Sequence, residues 1–307
     1  MSKERRARAD SGLDVTTAGT SQNGRRDHSW VRLRSQRTTF ESASSTHGGH
    51  ADIQGFVLGA DWNLLDHWIV GVGGAYATGK LNLEGVAASS DYVAPRTLGY
   101  IGYGTKRWAA HVGTSVARTA YDTRRGFRFA ALTPIRDDLL FGGVDRGATS
   151  APSGLTTEVW GEQRFNAKVG SWSLHPSVGL RYASYGRHAW TENGGDSLSL
   201  SGPAQTFNSK QADAGLWIGR AVGRFGSQAS ATYRRALGGR QTYANLDLSG
   251  QADGAFVVNG LFLARDTLVG RTGLTFRTRS VGLSLAYELQ RAQEQMRQTV
   301  QFSVGFE

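Results

Sequence analysis

The chain has 307 residues with 41 glycines, 5 prolines and no cysteine, and hydrophobic residues make up 39% of it. This composition, which also includes many aromatic residues, is typical of an all-β protein and not of a disordered chain. The formal net charge is +10, but the arginines are scattered rather than gathered with aromatics in one segment, which argues against nucleic acid as a partner. No run reaches the roughly 18–20 apolar residues of a membrane helix, and residues 1–28 lack the apolar core of a signal peptide.

Alternation of apolar with small or polar residues predicts strands in the first half of the chain. Segments 55–62 (GFVLGADW) and 68–79 (WIVGVGGAYATG) place tryptophan, tyrosine and aliphatic residues on one face, and mainly glycine and alanine on the other. A period of two predicts strands whose two sides meet different environments. Further strands with less regular alternation are predicted near 30–40, 91–104, 107–121 and 154–168.

The second half continues the pattern and ends on it. Segments 172–182 and 281–289 alternate strictly, and 268–276 places Leu268, Leu274 and Phe276 opposite small or charged residues. Strands are also predicted near 209–222 and 225–238. The last strand puts apolar side chains on one face, while Thr299, Gln301, Ser303 and Gly305 occupy the other. The apolar positions of this last strand are Val300, Phe302, Val304 and Phe306. Twelve strands are predicted in all.

The connections between these strands alternate in length. Short connections are predicted at 65–67, 105–106, 169–171, 223–224 and 279–280. Long, polar connections rich in glycine, serine and aspartate are predicted at 41–50, 83–90, 122–153, 188–206 and 239–263, whereas the connection near 291–295 is short. Tight turns at one end and long loops at the other are typical of an outer-membrane barrel, whose turns face the periplasm.

The two faces of the strands predict what each side touches. The face with Trp, Tyr, Phe, Leu and Val would meet lipid, and the face with Gly, Ser and Arg would line a water-filled lumen, the reverse of a soluble lipocalin-like barrel. Lipid leaves no backbone group free to bond water, so the last strand is predicted to pair with the strand near 30–40 and close the barrel. The charged residues predicted to face the lumen are Arg32, Arg34, Glu158, Glu162, Arg164, Arg181, Arg271, Arg277 and Glu288.

Four tryptophans next to the short connections predict an aromatic girdle at the membrane interface. They are Trp62, Trp68, Trp108 and Trp172. The alternative is that the tryptophans fill a soluble core, although such a core has no need of tryptophan beside each turn.

Residues that commonly carry chemistry do not form a recognisable site. His47 and His50 in a predicted surface loop are a weak candidate for a metal, because no cysteine or spaced carboxylate accompanies them. Asp137, Asp138 and His188 are the residues that an outer-membrane protease would use at the rim, but their positions in long predicted loops favour ordinary solvated residues. The expectation is therefore a protein that is not an enzyme, with no catalytic residue, no cofactor and no metal.

Taken together, four stretches resemble the C-terminal translocator domain, or β-domain, of classical (type V) autotransporters of Gram-negative bacteria. The first is 55–64 (GFVLGADWNL), and the second is 231–238 (ATYRRALG), in which Tyr233, Arg235 and Leu237 depart from the family pattern. The third is 256–274 (FVVNGLFLARDTLVGRTGL), with matching Gly260, Ala264, Arg265, Asp266 and Gly273. The fourth is the terminal strand, which resembles an assembly signal of alternating apolar and aromatic residues but continues to Glu307.

The resemblance covers about residues 29–307 and implies a closed barrel of twelve antiparallel strands in the cell outer membrane. It implies a monomer that carries an N-terminal passenger, not present in these residues, to the cell surface. Residues 1–28 would be a linker in the lumen, and both chain ends would be periplasmic unless the N-terminus is threaded out. Lipid, the barrel-assembly machinery and periplasmic chaperones are the other implied partners.

Two alternatives remain open from the sequence. Some family members cleave their passenger inside the pore after an asparagine, for which Asn23 and the carboxylates Glu158 and Glu162 are candidates, although Asn23-Gly24 is equally a plain turn. The other alternative is a stand-alone outer-membrane channel, or an adhesin whose long loops at 122–153 and 239–263 carry the activity.

Overall fold

The computed structural model describes residues 28–42, 47–65, 67–129, 144–239, 243–248, 255–259, 264–293 and 295–306. Within these ranges, no helix is long and apolar enough to cross a membrane. The predicted linker up to Asp27, Asn23, Asp137, Asp138 and Glu307 lie outside the described residues.

Eighteen strands and a single 3₁₀ turn, Asp196–Leu198, make up the described secondary structure. The first nine strands are β1 (His28–Phe40), β2 (Gly49–Leu65), β3 (Trp68–Leu83), β4 (Ala88–Gly104), β5 (Trp108–Phe129), β6 (Val144–Ser150), β7 (Ser153–Phe165), β8 (Ala167–Val169) and β9 (Trp172–Arg187). The other nine are β10 (Trp190–Thr191), β11 (Leu200–Gly202), β12 (Gln205–Val222), β13 (Phe225–Gly238), β14 (Tyr243–Leu248), β15 (Ala255–Asn259), β16 (Asp266–Arg277), β17 (Val281–Ala292) and β18 (Gln295–Phe306).

Twelve of these strands form a closed antiparallel barrel, as the sequence predicted. The ring runs β1-β2-β3-β4-β5-β7-β9-β12-β13-β16-β17-β18 and returns to β1. The closing pair joins Ser29 to Phe306 at one end and Phe40 to Gln295 at the other, without a register shift. Because every barrel strand has a partner on both sides, the barrel has no open edge.

The terminal strand β18 shows how the alternation separates the two surfaces. Val300 and Phe302 are 49% and 40% exposed on the outer surface of the barrel. Thr299 and Gln301, on the opposite face, are 4% and 6% exposed inside it. The apolar face is therefore on the outside and the polar face is inside, as in a barrel that is surrounded by lipid.

Short connections gather at one end of the barrel, which we call the short-turn end, together with His28 and Phe306. These connections are 66–67, 105–107, 170–171, 223–224 and 278–280. The opposite end is the long-loop end. One sequence prediction is wrong there, because β3 ends at Leu83 and β4 begins at Ala88, so the connection predicted at 83–90 has only four residues, 84–87.

The long connections also contain strands that the sequence analysis did not predict. Strand β5 runs past the predicted end at residue 121 to Phe129 and pairs with β6. Strands β10, β11, β14 and β15 form a second, four-stranded sheet that joins two different connections through the pairing of Leu200 with Leu248. Glycine- and serine-rich segments conceal such pairing, because their partners are distant in sequence and their alternation is weak.

An ion pair fastens these connections to the barrel. Arg125 on β5 donates from Nε and Nη2 to both carboxylate oxygens of Glu192, at 3.1 and 2.6 Å. Glu192 also accepts the backbone N–H of Leu200 at 2.9 Å and is 6% exposed. An isolated antiparallel β-bridge between Thr149 and Asn193 bonds the connection that contains β6 to the connection that contains Glu192. Three long connections are thus bonded to one another.

Inside the barrel, large aromatic side chains lie flat over glycines of the neighbouring strand near the short-turn end. Trp30, Tyr100 and Trp160 are all less than 10% exposed and belong to one cluster. A Cβ on Gly71 would lie 2.2 Å from the Tyr100 ring, and one on Gly113 would lie 2.4 Å from the Trp160 ring. These two glycines let the aromatic rings pack directly on the barrel wall.

Replacing Gly71 with alanine should destabilise the barrel, because the added methyl group overlaps the Tyr100 ring. We expect a loss of about 1–3 kcal/mol in the free energy of unfolding, as for other overpacked sites. Urea unfolding of the refolded barrel, followed by its heat-modifiable gel mobility, measures this. Gly270→Ala is the matched control, because the nearest atom to its Cβ is 4.0 Å away. Equal midpoints for the two variants would contradict the predicted overlap.

Replacing Glu192 with glutamine should loosen the joined connections, because the Arg125 guanidinium loses its carboxylate. We expect a protease to cut residues 188–204 of the folded barrel several-fold faster. Mass spectrometry of the fragments locates the cuts. The control is Asp196→Asn. Asp196 lies in the same connection as Glu192, but it forms an exposed ion pair with Arg146 on β6. A cleavage rate that changes equally in both variants would show that the Glu192 pair does not fasten the connections.

Candidate functional site in the barrel lumen

The lumen contains a cavity of about 370 Å³, lined by side chains from strands all around the ring. The structure places eight of the nine charged residues that were predicted to face the lumen in the wall of this cavity. They are Arg32, Arg34, Glu158, Glu162, Arg164, Arg181, Arg271 and Glu288. The ninth, Arg277, lines a separate cavity near the short-turn end, together with Trp172 and Arg224. A functional role for these nine residues stays a prediction.

Four charged residues of the cavity wall were missed by the sequence analysis. They are Arg96, Asp213, Arg234 and Arg297. The faces of 91–104 were not assigned, because Arg96 shares its face with the large residues Tyr92 and Tyr100. Arg297 could have been found, since continuing the alternation of β18 backwards from Thr299 places it on the same face.

Glu158 on β7 holds two arginines that come from different sides. Arg96 Nη1 donates to Glu158 Oε2 at 3.3 Å, and Arg181 Nη1 lies 3.1 Å from Glu158 Oε1. The side chain of Glu158 is only 14% exposed, so water screens the pairs less than at an open surface. Both oxygens of this carboxylate are therefore engaged in ion pairs.

Two more ion pairs hold the same wall. Arg164 Nη2 donates to Glu162 Oε1 at 3.0 Å, with both side chains largely buried. Arg234 donates from Nε and Nη2 to the two oxygens of Asp213, at 2.8 and 3.2 Å. Such two-pronged contacts fix the orientation of the guanidinium group. The wall is therefore an ordered network and not a loose set of charges.

The network is not electrically neutral. Eight arginines and four carboxylates line the cavity, a formal excess of four positive charges among the described residues. A narrow channel with low-dielectric walls concentrates such a field, which attracts anions and repels cations. A water-filled lumen with this wall should therefore favour the passage of anions.

Aromatic side chains lie on the long-loop side of the charged wall. The rings of Tyr92 and Tyr121 are 5.9 Å apart, and Tyr185 stacks on Phe207 at 6.2 Å. With the aromatic cluster near the short-turn end, they place the charges in a band between two aromatic layers. Among the described residues, no group of three or more His, Cys, Asp or Glu could hold a metal ion.

The candidate girdle tryptophans lie at the short-turn end. Trp62, Trp68 and Trp172 are 37%, 38% and 45% exposed on the barrel surface. The sequence analysis missed Tyr103, whose ring packs between Trp68 at 5.0 Å and Trp108 at 5.2 Å. Trp68, Tyr103 and Trp108 therefore make a continuous aromatic patch there. A role at the membrane interface stays a prediction.

Comparison with known proteins decides the family. The model of the autotransporter β-domain matches residues 29–288. This chain belongs to the autotransporter β-domain family. The family implies an outer-membrane location for the barrel. A search of curated proteins found no match.

Solved structures of autotransporter barrels share the fold. The translocator domain of NalP from Neisseria meningitidis superposes with a TM-score of 0.73 at 15% identity, covering 93% of this chain and 90% of that one. The β-domain of the Bordetella autotransporter BrkA gives 0.60 at 15% identity, with coverages of 92% and 99%. The toluene transporter TodX from P. putida gives 0.53 at 11% identity, with coverages of 93% and 90%. At these identities the likeness concerns the fold alone.

Replacing Glu158 with glutamine should both weaken the barrel and change its pore. Arg96 and Arg181 lose their shared carboxylate, which should cost about 1–3 kcal/mol of unfolding free energy and add one positive charge to the lumen. In planar bilayers under a KCl gradient, we expect the reversal potential to move further towards that of chloride. The control is Asp145→Asn, which removes an exposed partner of Arg128 and should change neither quantity. An unchanged reversal potential in Glu158→Gln would show that this charge does not face the conducting path.

Proposed function

We propose that this barrel carries an N-terminal passenger across the outer membrane and anchors it at the cell surface. The position of the two ends of the barrel supports this proposal most directly. Ser29 pairs with Phe306, so the chain enters β1 and leaves β18 at the short-turn end. A segment that precedes β1 would therefore have to cross the membrane, through or alongside the lumen, to reach the long-loop end.

The lumen wall suits such passage. More than half of the described side chains that line it are charged or hydroxylic, so it offers an unfolded chain a hydrated wall rather than a continuous apolar surface to which the chain would adhere. Residues 1–28 would then be the segment that runs through the lumen from the passenger to β1. Charged lumen residues would keep that path hydrated.

The proposal includes the remaining expectations about partners and orientation. The short-turn end would face the periplasm, and the apolar face of β18 would be read by the barrel-assembly machinery after periplasmic chaperones deliver the chain. The barrel would act as a monomer in lipid and would not itself be an enzyme. The family match ends at residue 288, so the place of β18 in the barrel rests on the structure alone.

A second candidate function is a channel or a surface adhesin without a passenger. The observation that favours it is the four-stranded sheet in the long connections, which is a structured surface at the long-loop end. The shared fold of TodX is compatible with a channel. The position of the N-terminus in living cells separates the two candidates.

Fusing a signal peptide and an epitope tag ahead of Met1 tests the passenger proposal. If the barrel exports what precedes it, protease added to intact Gram-negative cells should remove the tag. Two matched controls carry the tag inside the barrel instead. A tag between Gly85 and Val86, in the exposed connection at the long-loop end, should be cut, and a tag between Gly223 and Arg224, at the short-turn end, should be protected. A protected N-terminal tag on a folded, heat-modifiable barrel would favour the channel or adhesin.

A further inference from the structure

We propose that the rim of the barrel at the short-turn end contains a binding site for an anionic phospholipid, centred on Arg220 and Arg224. The proposal requires only that the barrel lies in a membrane, which the family implies, and not that it exports a passenger. The ligand is a lipid whose headgroup contains a phosphate and no ammonium group, such as phosphatidylglycerol.

Arg220 faces outward from β12 within a row of apolar side chains. It lies opposite Trp172 on β9 and Ser227 on β13, and the same row continues to Val169 on β8 and Leu274 on β16. Residues that are directly opposite each other on paired strands share one face of the sheet. The three apolar members of the row are exposed on the outer surface. A charged side chain therefore interrupts the apolar surface at this position.

Arg220 lies close to the end of its strand and not in the middle of the barrel. It is two residues from Val222, the last residue of β12, which is about 7 Å along the strand. Its guanidinium group lies over the Trp172 ring, 5.6 Å from the ring centre. Trp172 is one of the tryptophans predicted to lie at the membrane interface. Arg220 is thus placed at the depth where lipid phosphate groups are expected.

The cavity that Arg277 lines at the short-turn end is strongly cationic. It has a volume of about 540 Å³, and its wall includes Lys168, Arg220, Arg224 and Arg277 but no carboxylate among the described residues. Within the described part of the chain, none of these four cations forms an ion pair. Four like charges around one space favour an anion there and disfavour a further cation.

The turn at 223–224 holds the second arginine of the site. Gly223 has a φ of 60°, which glycine adopts without strain, and Val222 pairs directly with Phe225 across the turn. The carbonyl of Arg224 accepts the backbone N–H of Arg277 at 2.9 Å, so the turn is bonded to β16. The backbone at Arg224 is therefore fixed beside the cavity. Two guanidinium groups on one cavity can bond the oxygens of one phosphate together.

The surroundings favour a lipid over a dissolved anion. A phospholipid would place its phosphate against the arginines and its acyl chains against the exposed side chains of Val169, Phe225 and Leu274. A dissolved phosphate has no part that could cover these apolar side chains. A choline or ethanolamine headgroup would bring a further cation to the cavity, whereas a glycerol headgroup would not. The site therefore fits an anionic phospholipid best.

Native mass spectrometry of the full chain, refolded in detergent, tests the site with phosphatidylglycerol and with phosphatidylcholine of the same acyl chains. We expect the unaltered protein to bind phosphatidylglycerol several-fold more tightly. Arg220→Gln should weaken that binding by about tenfold, which is the loss of a single charged hydrogen bond. Arg224→Gln should weaken it several-fold, and Arg220→Lys, which keeps the charge, should retain part of the preference. Heat-modifiable gel mobility verifies that each variant is folded.

The matched control is Arg128→Gln, which removes the same charge from an exposed position in the β5–β6 pair at the long-loop end. It should bind phosphatidylglycerol like the unaltered protein. Equal binding of the two lipids by the unaltered chain would overturn the proposal, as would an unchanged preference in both Arg220→Gln and Arg224→Gln. A loss in Arg128→Gln as large as in Arg220→Gln would also overturn it, because binding would then reflect the overall charge.

A competition experiment separates the lipid from dissolved anions. Glycerol phosphate and a hexaglutamate peptide, each added at the concentration of the lipid, should leave phosphatidylglycerol bound, because neither covers the apolar side chains. Displacement by glycerol phosphate would assign the site to a dissolved phosphate, and displacement by hexaglutamate would assign it to an acidic polypeptide. Either displacement would overturn the proposal of a lipid site.

Discussion

The pairing of the last strand with the first is the constraint on which the rest of this molecule depends. In lipid, an unpaired backbone N–H or C=O costs several kcal/mol, since no water is present to bind it. The continuous register from Ser29–Phe306 to Phe40–Gln295 removes the two edges that an open sheet would expose. Closure with an even number of strands then brings the chain's entry to the barrel and its exit to the same end.

The polar lumen follows from this closure and from the two-residue period of a strand. Each apolar residue that faces lipid obliges its neighbours to face inward, where glycine, serine and charged residues leave space and hold water. The same geometry brings arginines and carboxylates of different strands within reach of each other, as with Glu158 on β7, Arg96 on β4 and Arg181 on β9. Charged side chains thus fill the middle of the interior, and aromatic side chains fill it towards both ends.

Much of this architecture could be predicted from the sequence, because alternation is a local signal. The regular alternation of β2, β3, β9 and β18 was enough to assign their faces, and the need for closure was enough to pair β18 with β1. Arg96 and Asp213 were missed where large or small residues blur the alternation. The four-stranded sheet was missed because its partners, such as Leu200 and Leu248, are far apart in sequence and no local pattern links them. The pairing of each arginine with its carboxylate likewise depends on the arrangement of the strands around the barrel, which no single segment of sequence encodes.

The bonding of three long connections to one another has a consequence for surface-display engineering. Residues 188–204 are bonded to β5 through Glu192 and to β14 through Leu200. A foreign peptide grafted into this connection would therefore also disturb the other two long connections. The four-residue connection 84–87, whose side chains are exposed, contains no strand of the second sheet. A designer who wishes to vary one epitope without breaking the Glu192 and Leu200 links should therefore insert it between Gly85 and Val86, which leaves the backbone bonds of Glu84 to Gly48 and of Gly126 to Ala87 in place.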